Sequence, residues 1–270
     1  MQPITPTSPV QGIIFDFGST LSITRVAWPV IIAEGAAAIA AWLRQAGLTL
    51  PDDFAEQWAA ALRRANRHGD TEGIEFSAET VLAELLAAQG HDYFSADRLM
   101  AATDCYFTVE DGLRVPAPGA VDLLAALKLA GYRVGILSNT PGGRWVQRWI
   151  DSHGFRPYVD IVVTSDMLGI RKPRPEIFLA TLKQLGLREP RRAVMVGDTL
   201  AHDIAGAQAL GMRTVLVALP EDQGFVVPTA DGQIMPIARP PVAADVCPDA
   251  EIHALADLIP LLERWQRDGR

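Results

Sequence analysis

Gly12-Ile-Ile-Phe-Asp16-Phe-Gly18-Ser-Thr20-Leu21 is the stretch on which the reading of this chain turns. Three apolar residues run into Asp16, and a Gly-Ser turn follows, which places the carboxylate at a strand tip rather than on a wet surface. A single aspartate of this kind is most often just the first residue of a turn. Three further motifs follow in order: Gly135-Ile-Leu-Ser138-Asn139-Thr140, Arg171-Lys172-Pro173-Arg-Pro175-Glu-Ile-Phe178, and Val194-Met-Val-Gly197-Asp198-Thr-Leu-Ala-His-Asp203. A carboxylate, a hydroxyl, an ammonium and a carboxylate pair, brought together, can bind a metal ion, hold a phosphoryl group and attack it.

Outward from these motifs the chain divides by pattern. Residues 28–110 read as helix upon helix, with segments 33–48, 53–68, 78–89 and 96–107 rich in Ala, Leu, Glu and Arg and apolar at three- and four-residue spacing. Gly47, Gly69 and Gly90 are expected to cap the first three. From Pro116 the pattern becomes alternating helix (120–130, 144–153, 175–185, 201–210) and short apolar strand (133–137, 161–164, 193–196, 214–218), with 13–15 returning to the same sheet. That alternation argues for βαβ units and a parallel sheet, with each motif at the carboxyl edge where open α/β sheets bind ligands. Residues 220–248 break the rhythm: two apolar runs, 225–227 and 234–237, flank Asp231-Gly232, a hairpin signal, and Pro236 confines the second run to an edge. The tail, 249–265, reads as an amphipathic helix packed on the core.

Composition narrows the function. With 270 residues and 49% hydrophobic content the chain can build one α/β core and a smaller second lobe. Thirty-two acidic against 24 basic residues, a net charge of -8, leave no basic footprint for nucleic acid. Two isolated cysteines, Cys105 and Cys247, lack the spacing of zinc ligands or a redox pair and suit a reducing, cytoplasmic setting. No run reaches the ~20 apolar residues of a membrane span, and residues 1–10 do not read as a signal peptide. A monomer and a homodimer fit the sequence equally.

Together the four motifs resemble those of the haloacid dehalogenase-like (HAD) hydrolases, in the branch with a helical cap after the first strand. The resemblance implies an α/β fold: a Rossmann-like doubly wound parallel sheet with an inserted all-helical cap domain. The core is expected from residues 1–22 and 116–270, with 220–248 a hairpin-like insertion, and the cap from 23–115. It also implies that Asp16 is the nucleophile of an aspartyl-phosphate, that Ser138, Asn139 and Lys172 hold the phosphoryl group with Lys172 as catalytic cation, and that the Gly18 carbonyl is a metal ligand. Asp16 and Asp198 are expected as direct ligands of Mg²⁺, because a hard divalent cation relieves the repulsion of clustered carboxylates and takes phosphate oxygen as well. Asp203 is open between a water-mediated ligand and a helix cap.

His202 reads as an exposed histidine at a helix start, and the 188–192 arginine cluster as solvated charge. Trp28, Trp42 and Trp58 read as cap core, although Arg25 and Trp28 enter the cap where they can overhang the site. One departure from the family pattern stands out: family phosphatases usually carry an acid/base aspartate two residues after the nucleophile, and this chain has Gly18 there. The phosphonate-cleaving branch uses a cap lysine, and residues 28–114 contain none. Three functions remain: a Mg²⁺-dependent phosphatase of small phosphorylated metabolites, a metal-independent carbon–halogen hydrolase, and a weakly active binding or regulatory protein.

Overall fold

The computed structural model describes residues 10–91, 93–220, 226–228, 234–236 and 246–268. Its centre is β1 (Gly12–Phe15), whose residues are all buried because helices cover both sheet faces. Ile13 and Phe15 point into one hydrophobic core and Ile14 into the other. The strands β4 (Arg133–Ser138) and β5 (Ile161–Thr164) extend the sheet on one side of β1, and β6 (Ala193–Gly197), β7 (Arg213–Val217) and β10 (Ala250–Ile252) on the other. Every pairing in this six-stranded sheet is parallel. The strand order reverses at β1, and the crevice at such a switch point is where open α/β sheets take ligands.

Around the sheet lie α5 (Ala120–Leu129), α6 (Gly143–Ser152), α7 (Ser165–Leu168), α8 (Pro175–Gln184), α9 (Ala205–Gln208) and α10 (Leu258–Arg267). Between β1 and β4 the chain leaves through β2 (Ser22–Thr24), forms α1 (Trp28–Gln45), α2 (Phe54–Glu72), α3 (Ala78–Ala87) and α4 (Ala96–Leu113), and returns through β3 (Arg114–Pro116). Since β2 and β3 pair antiparallel, the two crossings form one ribbon beside the site. In α1 the buried face is Ile31, Gly35, Ile39 and Leu43, the stripe that apolar spacing of three and four produces, and it packs along α4.

Several local expectations need correction. Gly69 does not cap α2; it lies inside the helix, and Gly73, in the left-handed conformation, ends it. The segment expected as one helix over 201–210 begins with a π-helical turn, Leu200–Ile204. The tail is not helical throughout: residues 250–252 form the edge strand β10 before α10 begins, because three residues are too few to display an alternation. The β2–β3 ribbon was missed for the same reason. The expected hairpin is present as β8 (Val226–Pro228) paired antiparallel with β9 (Ile234–Pro236), while Asp231-Gly232 lies outside the described residues. Among the described residues no helix is long and apolar enough to cross a membrane.

Candidate active site

Four elements deliver the polar groups to one edge. Asp16 follows β1, and its backbone N–H donates to the Val196 carbonyl at 2.8 Å, which ties the strand tip to β6. Ser138 ends β4, Asp198 follows β6, and Asp203 is carried by the π-helical turn. Such turns occur frequently at functional sites. Gly197 is what lets Asp203 in: a Cβ there would meet the Asp203 carboxylate carbon at 2.4 Å. Ser19, three residues before β2 begins, holds a positive φ of 57°, a conformation that costs a non-glycine residue about 1–3 kcal/mol and that the surrounding packing must enforce.

Lys172 is the hub of the site. Its buried ammonium donates to Asp16 Oδ1 at 2.6 Å, to Asp203 Oδ1 at 2.6 Å and to the Leu137 carbonyl at 2.8 Å. All three protons are therefore taken. Burial alone would pull the Lys172 pKa down, but the charges of Asp16 and Asp203 outweigh it and hold it above the ordinary value. Asp203 spends its other oxygen accepting the Thr199 backbone N–H at 3.0 Å. Asp198 accepts the Thr199 hydroxyl at 3.1 Å.

Asp16, Asp198 and Asp203 are all buried, and each presents an oxygen within 4.8 Å of the others. Two of the three, Asp16 and Asp203, share the Lys172 ammonium. Burial, then the charge of Asp203, raise the Asp16 pKa to about 6 against the opposing pull of Lys172. Clustered hard oxygen donors with a surplus of negative charge fit a hard divalent cation.

Asn139 sits at this edge with a different task for its side chain. Its amide donates to the Lys172 carbonyl at 3.0 Å and accepts the Lys172 N–H at 2.8 Å, a reciprocal pair that fixes the backbone of the lysine. Ser138 and Gly18 line the same cavity of about 380 Å³ as Asp16, Lys172 and Asp198. His202 corrects its expected exposure: it is largely buried in this cavity wall, 3.5 Å from Asp70 of α2, and burial holds its pKa below the usual value. Trp58 is core, as expected, whereas Trp28 is half-buried and lines the cavity.

The opposite wall is made by residues that sequence reasoning missed. Arg114, at the start of β3, is buried, donates to Ser22 Oγ at 2.9 Å and pairs with Glu110 at 2.8 Å. Its guanidinium lies 5.0 Å from the Trp28 ring and 5.5–5.6 Å from those of Phe17 and Trp145. Tyr106 lines the same wall. Arg171 reaches across to the cap, to Asp70 at 3.1 Å and Glu75 at 3.2 Å, and Glu75 also accepts the Ser165 hydroxyl at 2.6 Å. On the other flank Asp104 of α4 binds Arg144 and Arg148 of α6 at 2.8 and 2.9 Å. The only sequence signal for Arg114 is a basic residue in the short link that must pass the site.

Comparison with known proteins agrees with this architecture. The family profile described as haloacid dehalogenase-like hydrolase matches residues 10–211. The chain is similar to a glyceraldehyde 3-phosphate phosphatase of Methanothermobacter thermautotrophicus, 39% identical over 114 residues, 42% of this chain and 49% of that protein. It therefore spans about half the length of that relative. A ribulose-1,5-bisphosphate 5-phosphatase of Halopiger xanaduensis is 30% identical over 222 residues, 82% of this chain and 89% of that protein. Among solved structures, a 2-haloacid dehalogenase from Pseudomonas syringae pv. Tomato DC3000 superposes with a TM-score of 0.63 at 25% identity, covering 95% of this chain and 99% of that one. The chain belongs to the haloacid dehalogenase-like hydrolases.

Proposed function

We propose that this hydrolase is a Mg²⁺-dependent phosphatase of small phosphorylated metabolites in which Asp16 is the nucleophile. The observation that carries the reading is the buried cluster of Asp16, Asp198 and Asp203 around Lys172, facing a cavity large enough for a small ester. The sequence relatives reported above, phosphatases of glyceraldehyde 3-phosphate and of ribulose-1,5-bisphosphate, support it.

Lys172 holds one Asp16 oxygen and keeps the carboxylate ionised, so the other oxygen attacks phosphorus. The Asp16 O–P bond forms as the ester P–O bond breaks, and the departing oxygen keeps the electron pair and takes a proton from water, since position 18 carries no side-chain acid. Water then attacks the phosphorus, releasing phosphate and restoring the carboxylate; splitting one hard displacement into two is the gain from a covalent intermediate. The Ser138 hydroxyl and the Asn139 backbone N–H receive the phosphoryl oxygens, while the Asn139 side chain positions Lys172. Because its three protons are engaged, Lys172 contacts the phosphoryl group only by opening one of those bonds. Asp16, Asp198 and the Gly18 carbonyl would hold Mg²⁺, with Asp203 acting behind them through Lys172 and Thr199. When bound, the ion neutralises the carboxylates and draws charge from the phosphoryl oxygens.

In this reading residues 23–115 act as a cap on a core of 1–22 and 116–270, pivoting on the β2–β3 ribbon and excluding water when closed. Cys105 and Cys247 are unpaired, which suits a cytoplasmic setting. The deciding experiment is a panel of phosphorylated small molecules assayed with Mg²⁺ and with chelator, run beside 2-haloacids. Metal-dependent phosphate release is expected. The structural likeness to a 2-haloacid dehalogenase favours one competing reading, and metal-independent halide release would put it in place of the phosphatase.

A further inference from the structure

Arg114 has no part in the chemistry just described, yet its side chain is 3% exposed and lines the same cavity as Asp16. A guanidinium carries five N–H donors in a fixed fork. One goes to Ser22 and one to Glu110, while Nε is fully buried with no hydrogen-bond partner. A buried charged donor left open is costly unless a ligand completes it. The rings of Phe17, Trp28 and Trp145 surround the group and keep water from screening its charge.

Its place relative to the nucleophile is fixed through Gly18. A Cβ added there, two residues from Asp16, would stand 3.6 Å from Arg114 Nη1, so the guanidinium lies in van der Waals contact with the position a side chain at 18 would take. Asp16 approaches phosphorus from the core side, and in-line displacement directs the leaving group toward the cap. Arg114 and Trp28 form that wall, together with Arg63 of α2, which has no ion-pair partner among the described residues. Two guanidiniums stand there against Glu110.

Resting on the phosphatase reading, we propose that Arg114 is a substrate-contacting residue that selects phosphate esters whose leaving group bears a second anion, a carboxylate or a further phosphate. The donors that Ser22 and Glu110 leave free receive that anion in the planar geometry that suits either group.

Matched esters test this. The kcat/KM for 2-phosphoglycolate is compared with that for ethyl phosphate, and for propane-1,3-diol bisphosphate with that for its monophosphate, with p-nitrophenyl phosphate as a neutral reporter. The parent protein should prefer the anionic member by about 10- to 100-fold, the range a charge-assisted hydrogen bond supplies. The preferred pair tells carboxylate from phosphate. Arg114→Gln should lower the anionic rates, chiefly through KM, by that factor more than the neutral ones. Glu110→Gln, which unmasks the guanidinium, should widen the preference. If Arg114→Gln does not fold, Arg114→Lys, which keeps the charge but loses Nε and the fork, should lose part of the preference. No preference in the parent, an equal fall on all esters in the arginine variants, or a narrowed preference in Glu110→Gln would overturn the proposal. Turnover of no ester, p-nitrophenyl phosphate included, would overturn the phosphatase reading instead.

Discussion

The two walls of the cavity are built differently. On the core wall the polar groups other than Lys172, which lies in the link between α7 and α8, sit at the carboxyl end of a strand or in the first turn after one: Asp16 after β1, Ser138 at the end of β4, Asp198 and Asp203 after β6. On the cap wall the groups come from helix faces and from the ribbon: Glu110 and Tyr106 from α4, Arg63 from α2, Arg114 from β3. Strand ends are fixed by the hydrogen-bond ladder, so a short motif in sequence becomes a fixed set of atoms in space. Side chains on helix faces converge only after the helices pack, and their spacing in sequence carries no mark of it. In the proposed function the core wall sets what reaction is possible, and the cap wall sets on what.

The sharpest way to break this division is at the nucleophile. Asp16→Asn leaves the sheet packing intact and removes the oxygen nucleophile, so turnover should fall by on the order of 10³-fold or more on every substrate, read in a steady-state assay beside an unchanged circular dichroism spectrum. A selective loss on some esters would mean that the core wall also chooses substrates. Lys172→Met should follow in size. It strands Asp16 and Asp203 as buried carboxylates without their shared cation, and breaking a buried pair from one side typically costs about 3–5 kcal/mol. Urea denaturation without metal measures this. Added Mg²⁺ should restore part of the loss, and a loss that metal leaves untouched would show that the lysine is held for packing rather than charge.

That asymmetry also explains what the sequence disclosed. The parallel sheet, the all-helical insertion and the convergence of Asp16, Ser138, Asp198 and Asp203 on one edge were legible because apolar runs ending in polar motifs define both strands and strand tips, whereas Lys172 was legible only from its Lys-Pro-x-Pro string. Asn139 sits at the expected edge, but its side chain serves Lys172, which no spacing could reveal because the two meet across 33 residues. Arg114, Glu110 and the latch of Arg171 on Asp70 and Glu75 were illegible for the same reason. His202 was misjudged because its burial depends on the cap residue Asp70 standing over it. β10 was lost in a tail whose later residues are helical, since a three-residue strand has no period to read.

Metal and pH probe the core wall further. A ligand at about 100 times its Kd stabilises the fold by about 2.7 kcal/mol, so saturating Mg²⁺ should raise the melting temperature and chelator should lower it. The folded metal-free protein holds the Asp16 pKa up at about 6, so the contribution of this group is fully present below the ordinary carboxylate value and is lost as pH rises through 6. Ionised Asp16 is the form that binds metal, hence the thermal shift from Mg²⁺ should grow between pH 5 and pH 7.5. A shift independent of pH would remove Asp16 from the ligand set. On the cap side, Arg171→Gln deprives Glu75 of its cation. Burial already raises the Glu75 pKa, so the carboxyl can take up a proton, and the cost should be smaller, about 1–3 kcal/mol in the same denaturation experiment.

The smallest effect is expected where the two walls meet, at Gly18. Were this glycine required by its backbone, any side chain would strain the loop, but Gly18 is absent from the positive-φ residues, and an added Cβ finds only Arg114 Nη1 at 3.6 Å, an ordinary contact. Gly18→Asp should therefore fold and melt close to the parent. A free carboxylic acid at this position could speed esters with poor leaving groups by the ~10²–10⁴ typical of general acid catalysis. Here the new carboxylate would face the Arg114 guanidinium, whose charge favours the ionised form and depresses the pKa, so little acid is present at neutral pH. The gain on alkyl phosphates should accordingly stay below the ~10² lower bound of that range. Adding Arg114→Gln to Gly18→Asp removes the cation and should release the larger acceleration, read as a steeper recovery of alkyl than aryl phosphates in a rate series against leaving-group pKa. If Gly18→Asp alone reaches the full gain, the guanidinium does not reach the acid position. In that case the two walls act independently, and the absence of a side chain at position 18 has no connection with the arginine opposite it.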